Sequence, residues 1–154
     1  MIYTLGAGSE ETPLARSSIE VLVDLRPLPA RPPAGLVTVK IAALRGGRAA
    51  RPDSSNTVWA EGPLRGYADH MQSDEFAGGV AQLLKLVRQR KVGLLGEDCP
   101  WFVCVRGMLA DYLRARHDLV ANHLCGDEVQ PHPYTVAART NQGNYTRVVL
   151  QLKR

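Results

Sequence analysis

Apolar residues along the chain come in short runs parted by polar or Gly/Pro-rich stretches, with two later switches to helical spacing. Residues 2–5 form a first strand-length run. Residues 20–25 form a second, in which the contiguous Val21, Leu22 and Val23 predict a strand covered on both faces. Between them, residues 9–18 hold Pro13 and few apolar positions, which leaves room for only a short helix. A parallel crossover ordinarily takes a dozen residues or more. Pro27, Pro29, Pro32 and Pro33 make residues 27–35 a loop. Residues 36–42 alternate as a third strand, and residues 43–63 read as a second long loop, polar and Gly/Arg-rich, with no periodicity before Tyr67.

The clearest helix opens at Ser73, an N-cap residue type, with Asp74 and Glu75 in the first turn, where the helix dipole favours acids. Phe76, Val80, Leu83, Leu84 and Val87 then fall on one stripe. Val92-Gly93-Leu94-Leu95 reads as a fourth strand. A second helix starts near Pro100 and runs to about Arg116, with Val105, Met108 or Leu109, Tyr112 and Leu113 facing inward. Leu119-Val120-Ala121 reads as a fifth strand. Residues 126–154 read as irregular, except for an edge strand over 146–152. The order β-β-β-α-β-α-β predicts a single α/β domain over residues 1–154. Its architecture is Rossmann-like: an open, mostly parallel sheet with helices packed on it and a site beyond the carboxyl ends of its strands.

Composition narrows the classes. With 45% apolar and 22% charged residues, the 154-residue chain is not generally disordered. No apolar run approaches the roughly 20 residues that a membrane helix needs. Residues 1–5 carry no basic start and no signal-peptide core, so the expected location is the cytoplasm, away from membranes. Cys99, Cys104 and Cys125 are too few for a secreted disulfide scaffold. Only four of the nineteen basic residues are lysine, so fifteen are arginine, the side chain best shaped to grip phosphate or carboxylate. Most of that excess is compositional.

Position separates the arginines. Gly6-Ala7-Gly8 follows the first strand, and Asp24 with Arg26 follows the second. Arg45-Gly46-Gly47-Arg48 and Arg51 follow the third, and Glu97-Asp98-Cys99 leads from the fourth into the helix that carries Arg106. Glycines, arginines and a helix N-terminus at one sheet edge are the equipment of an anion site. Gly6-Ala7-Gly8 is an incomplete dinucleotide fingerprint, since Glu11 stands where the third glycine belongs. Cys99 to Arg106 leaves six residues between and no glycine, which misses the phosphatase loop. The dipole of the following helix favours a Cys99 thiolate, while Glu97 and Asp98 oppose it. His123, Cys125 and His132 lack zinc-site spacing, so no metal and no cofactor is expected. Asp24, Asp69 and Glu97 are the acids expected beside arginines.

Several segments resemble the domain-of-unknown-function 488 family. These are Ile2-Tyr3-Thr4-Leu5-Gly6, Val21-Leu22-Val23-Asp24-Leu25-Arg26 and Asn56-Thr57-Val58-Trp59, then Leu64-Arg65-Gly66-Tyr67-Ala68-Asp69-His70-Met71, with Pro131-His132-Pro133 near the end. Glu97 and Cys104-Val105-Arg106 stand where the family has Cys-x-Glu and Cys-His-Arg. The resemblance implies a Rossmann-like α/β fold and no agreed activity. The chain departs from the family where Ala7 replaces a histidine, Leu95 a cysteine and Val105 a histidine. Each lost side chain is one that carries protons, attacks or ligates.

Three function classes follow. The first is an arginine-lined pocket for a phosphorylated small molecule or nucleic acid, its chemistry degenerate. In it Gly6, Arg26, Arg65, Tyr67 and Arg106 contact the ligand, and Asp24, Glu97 and Cys104 are the catalytic candidates. The alternative is a non-catalytic homo-oligomeric module joined through Trp59, Trp101 and Phe102. The third is a thiol-dependent enzyme using Cys99 or Cys104.

Overall fold

The structure, a computed structural model, describes residues 1–8, 18–28, 36–57 and 59–133, together with the backbone of 138–141 and 144–147. The strands are β1 (Ile2–Gly6), β2 (Val21–Asp24), β3 (Val37–Val39), β4 (Val92–Gly96), β5 (Asn122–Cys125) and β6 (Glu128–Pro131). They form one sheet in the order β3-β2-β4-β1-β5-β6, parallel except for the β5–β6 hairpin. The helices are α1 (Pro63–His70), α2 (Asp74–Gln89) and α3 (Val105–His117). The α/β reading of the sequence therefore holds.

Strand alternation sorts the core into two faces. Ile2, Val21, Val23, Leu25, Val92 and Leu94 pack with Tyr67, Phe76, Val80, Leu83, Met108 and Leu109 from the three helices. Tyr3, Leu5, Leu22, Leu95 and Leu124 form a second cluster with Ile19. All four residues of β2 are buried, as its contiguous apolar run requires. Ser73 caps α2 by accepting the Phe76 N–H at 3.1 Å, and the Phe76 ring meets the Tyr112 ring edge-on at 4.9 Å. Burying a side chain such as Phe76 contributes about 1.5–3 kcal/mol.

Four sequence expectations are corrected. Helix α1 occupies 63–70, beginning inside the stretch read as aperiodic; Leu64, Tyr67 and Ala68 give it an apolar stripe only one turn long, and side-chain contacts to a loop help hold it in place. The helix expected from Pro100 begins later. Trp101–Val103 form a 3₁₀ turn, and Cys104 returns to extended backbone before α3 starts. The fifth strand is Asn122–Cys125 rather than 119–121. Asp118 ends α3 in the left-handed conformation, and residues 119–121 serve as the connection. Its partner β6 escapes a hydrophobicity pattern because all four of its residues are exposed.

Beyond these, Ala138–Asn141 (β7) and Asn144–Arg147 (β8) pair with each other and not with the edge of the main sheet. Thr146 and Arg147 of the expected edge strand belong to β8; residues 148–152 lie outside the described residues, as do 9–17 and most of 27–35.

The topology creates an opening. β2 and β4 are neighbours, but the chain leaves β2 toward the β3 edge and leaves β4 toward the β5 edge. Diverging connections between adjacent parallel strands leave a crevice at their carboxyl ends.

Candidate functional site

A cavity of about 320 Å³ sits at that divergence. Leu25 and Pro27 line it from the end of β2, and Glu97 and Cys99 from the end of β4. Val103, Cys104 and Val105 line it before and into α3, and Gly46, Gly47, Pro63 and Leu64 from the loop opposite. The lining is chiefly apolar, with one carboxylate and two thiols. None of Arg26, Arg65 and Arg106 lines it.

Arg106 lies across the tips of β1 and β4. Its Nη1 donates to the Glu97 carbonyl at 3.1 Å and to the Cys104 Sγ at 3.1 Å, and its Nη2 to the Cys99 carbonyl at 2.7 Å. Glycines make the space: a Cβ on Gly6 would lie 3.5 Å from Nη2, and one on Gly96 would lie 2.8 Å from Cys104 Sγ and 3.1 Å from Arg106 Nη1. Arg106 thus fixes the loop that presents Glu97 and Cys99. The Cys99 thiol is pushed up to about 11, first by burial and then by the Cys104 sulfur beside it, with the Arg106 charge opposing.

Asp24 and Arg26 pair with each other. Arg26 Nε and Nη2 each donate to the Asp24 carboxylate at 2.9 Å, and the Arg26 backbone N–H adds a third bond at 3.0 Å. Burial pushes the Asp24 carboxyl upward, but the hydrogen bonds and charge of Arg26 outweigh it and hold the group below the usual carboxylate range. Arg26 in turn is held protonated by Asp24, with the Glu97 charge adding.

The remaining sequence-picked residues gather elsewhere, around α1. Arg65 Nε donates to the Trp59 carbonyl at 3.0 Å. The backbone of the preceding loop crosses Gly66 so closely that an added Cβ would lie 1.8 Å from the Arg48 carbonyl oxygen. Tyr67 is wholly buried and donates its hydroxyl to the Leu44 carbonyl at 2.7 Å; burial pushes its pKa far up. Asp69 accepts from the Arg51 N–H at 2.8 Å, from the Ser54 hydroxyl at 2.6 Å and from Asn56 Nδ2 at 2.6 Å. Burial raises the Asp69 carboxyl, and these bonds outweigh it and hold the carboxyl low. The Arg-Gly-Tyr-Ala-Asp segment is a clamp that fastens Leu44, Arg51, Ser54, Asn56 and Trp59 to α1, and with them Gly46 and Gly47 of the crevice wall. The structure therefore divides the sequence-picked residues into crevice, supporting Arg106 and clamp.

That segment, Asp24-Leu25-Arg26 and Cys104-Val105-Arg106 lie within residues 10–113, which match the model of the family described as "Domain of unknown function DUF488". The chain belongs to the DUF488 family. No curated protein and no solved structure matches it. In this DUF488 chain the matched span takes in β2, the clamp, the crevice lining and Arg106.

Mostly outside that span lies a buried polar chain that residue spacing alone does not reveal. Thr4 Oγ1 and His123 Nδ1 are 2.5 Å apart, His123 Nε2 and His132 Nδ1 2.8 Å, and His132 Nε2 and Asp111 Oδ1 2.5 Å. One set of proton positions satisfies every link, each group donating to the next from the Thr4 hydroxyl to the Asp111 carboxylate. Trp101 stacks on His123 with ring centroids 4.2 Å apart, sealing the chain. Cys125, grouped with these histidines by the sequence, is exposed. Among the described residues no group of His, Cys, Asp or Glu is arranged to hold a metal ion. Among them, too, no helix is long and apolar enough to cross a membrane.

Proposed function

We propose that this DUF488 chain binds a small organic molecule in the crevice between β2 and β4. The observation that carries the reading is the lining: apolar walls with Glu97, Cys99 and Cys104 as its polar members, at the diverging connections of two parallel strands. Small-molecule sites combine a chiefly apolar surface with a few placed polar groups, in volumes from about 300 Å³ upward. Glu97 favours a ligand with a hydrogen-bond donor or positive charge at the mouth. Arg26 is already matched by Asp24, which leaves little unbalanced positive charge there.

The phosphorylated-ligand reading keeps one observation in its favour. Arg106 is buried under the crevice, and its Nε has no hydrogen-bond partner. The oligomeric alternative loses most of its surface: Trp59 and Trp101 are buried in the fold and only Phe102 of the three aromatics is exposed.

Thermal-shift measurements with a library of neutral and cationic fragments, set against phosphate, nucleotides and oligonucleotides, separate the readings. Stabilisation by the former, abolished in Val103→Trp, which fills the crevice, is the expected outcome. Stabilisation by phosphate compounds alone overturns it in favour of the arginine reading, and stabilisation by neither removes both.

A further inference from the structure

Cys99 and Cys104 stand apart from the other polar groups because they face the crevice together. Both line the cavity. One guanidinium spans them, with Arg106 Nη2 on the Cys99 carbonyl and Nη1 on the Cys104 sulfur. The intervening residues 100–103 fold back in a 3₁₀ turn, with the Cys99 Sγ 3.9 Å from the Val103 carbonyl. The third thiol, Cys125, is exposed on β5 and does not line the cavity.

The geometry points to Cys99 and Cys104 as a dithiol site that reduces a small hydroperoxide and closes to an intramolecular disulfide. This goes beyond ligand binding in the crevice and needs only that a peroxide reach the sulfurs. The chemistry follows from their surroundings. The Cys104 sulfur accepts a hydrogen bond from a cation, the setting in which a sulfur is the better attacking group. The Cys99 thiol, pushed up to about 11, keeps its proton at neutral pH.

In the first step the Cys104 sulfur attacks the terminal peroxide oxygen and loses its own proton. The O–O bond breaks, the leaving oxygen takes up a proton and departs as alcohol or water, and Cys104 becomes a sulfenic acid. In the second step the Cys99 sulfur attacks the Cys104 sulfur, the S–O bond breaks, and the hydroxyl leaves as water with the Cys99 proton. Two electrons pass from the two thiols to one peroxide. An external dithiol returns the pair to the reduced state by exchange.

The full chain carrying Cys125→Ser isolates the pair for test with hydrogen peroxide, read by free-thiol count and intact mass. The expected result is loss of both thiols for one peroxide consumed and a mass lower by two hydrogens, reversed by dithiothreitol. Cys99→Ser in the same background should stop at a Cys104 sulfenic acid that a dione probe captures. Cys104→Ser should slow peroxide consumption to the rate of a free small-molecule thiol. Circular dichroism establishes that each variant is folded, and the Cys125→Ser chain alone decides the matter if either second variant is not. Separate oxidation of the two thiols, each gaining oxygen, overturns the proposal, as does a disulfide only between molecules. Ligand binding in the crevice stands or falls separately, because fragment stabilisation is measured on the reduced protein.

Discussion

The clamp at α1 and the crevice between β2 and β4 are built from similar residue types and put them to opposite use. At the clamp, the Asp69 carboxylate already holds three donors, the Tyr67 hydroxyl and the Arg65 Nε each hold a backbone carbonyl, and Gly66 lets a second backbone pass. At the crevice, the Glu97 carboxylate and two thiols line an open cavity, while Arg26 is taken up by Asp24 and the Arg106 Nη atoms by backbone carbonyls and the Cys104 sulfur, with its Nε left over. The comparison teaches that charge and placement at a strand end do not mark a site. What marks one is a polar group left over after the chain has satisfied itself.

The sharpest way to break this contrast is Gly66→Ala. The new methyl would collide with the Arg48 carbonyl, and relief requires moving a backbone segment rather than a side chain. We expect a loss of about 3 kcal/mol or more, or failure to fold, seen in denaturant unfolding. Asp69→Ala comes next. It leaves the Asn56 amide and the Arg51 N–H without their acceptor, which costs about 2–3 kcal/mol in the unfolding free energy.

The same carboxyl gives the pH dependence. Asp24 and Asp69 both have folded pKa values below the ordinary carboxyl value. Their stabilising contribution is therefore complete above pH about 5, where an unfolded aspartate is almost fully ionised, and is lost as pH falls through the unfolded pKa of about 4 and then the lower folded values. Urea midpoints from pH 7 down to 2 should show that decline, and Asp69→Asn should flatten it. At the other end of the scale, Glu97→Gln should change stability by less than about 0.5 kcal/mol, because the side chain is exposed at the cavity mouth. It should nevertheless weaken binding of cationic fragments in the thermal-shift assay.

The layered α/β core was legible in the sequence because hydrophobic periodicity reports burial. The stripe of α2 and the doubly buried β2 appear where the pattern places them. Helix α1 and strand β5 were not legible, because each buries only a few apolar side chains and polar contacts add to that packing: the clamp in one, and the Thr4–His123–His132–Asp111 chain in the other. Periodicity is silent about such elements. For the candidate site, the sequence pointed to the strand-end edge at which the structure brings Glu97, Cys104 and Arg106 together. It could not tell that Arg65 and Tyr67 turn away, because their partners are backbone carbonyls of a loop without a recognisable pattern. Nor could it foresee that Cys99 and Cys104 share one cavity, which depends on the turn between them.

We propose that the ligand binds in the crevice and not in the second cavity, an open groove lined by Arg48, Arg51, Gly66, Asp69 and His70. Amide chemical-shift mapping during titration with the fragments that stabilise the protein tests it most directly. Binding in the crevice perturbs amides clustered at Leu25, Gly46, Gly47, Leu64, Cys99 and Val105. Perturbations centred instead on Arg48 and Arg51, in the groove beside Asp69, would contradict it.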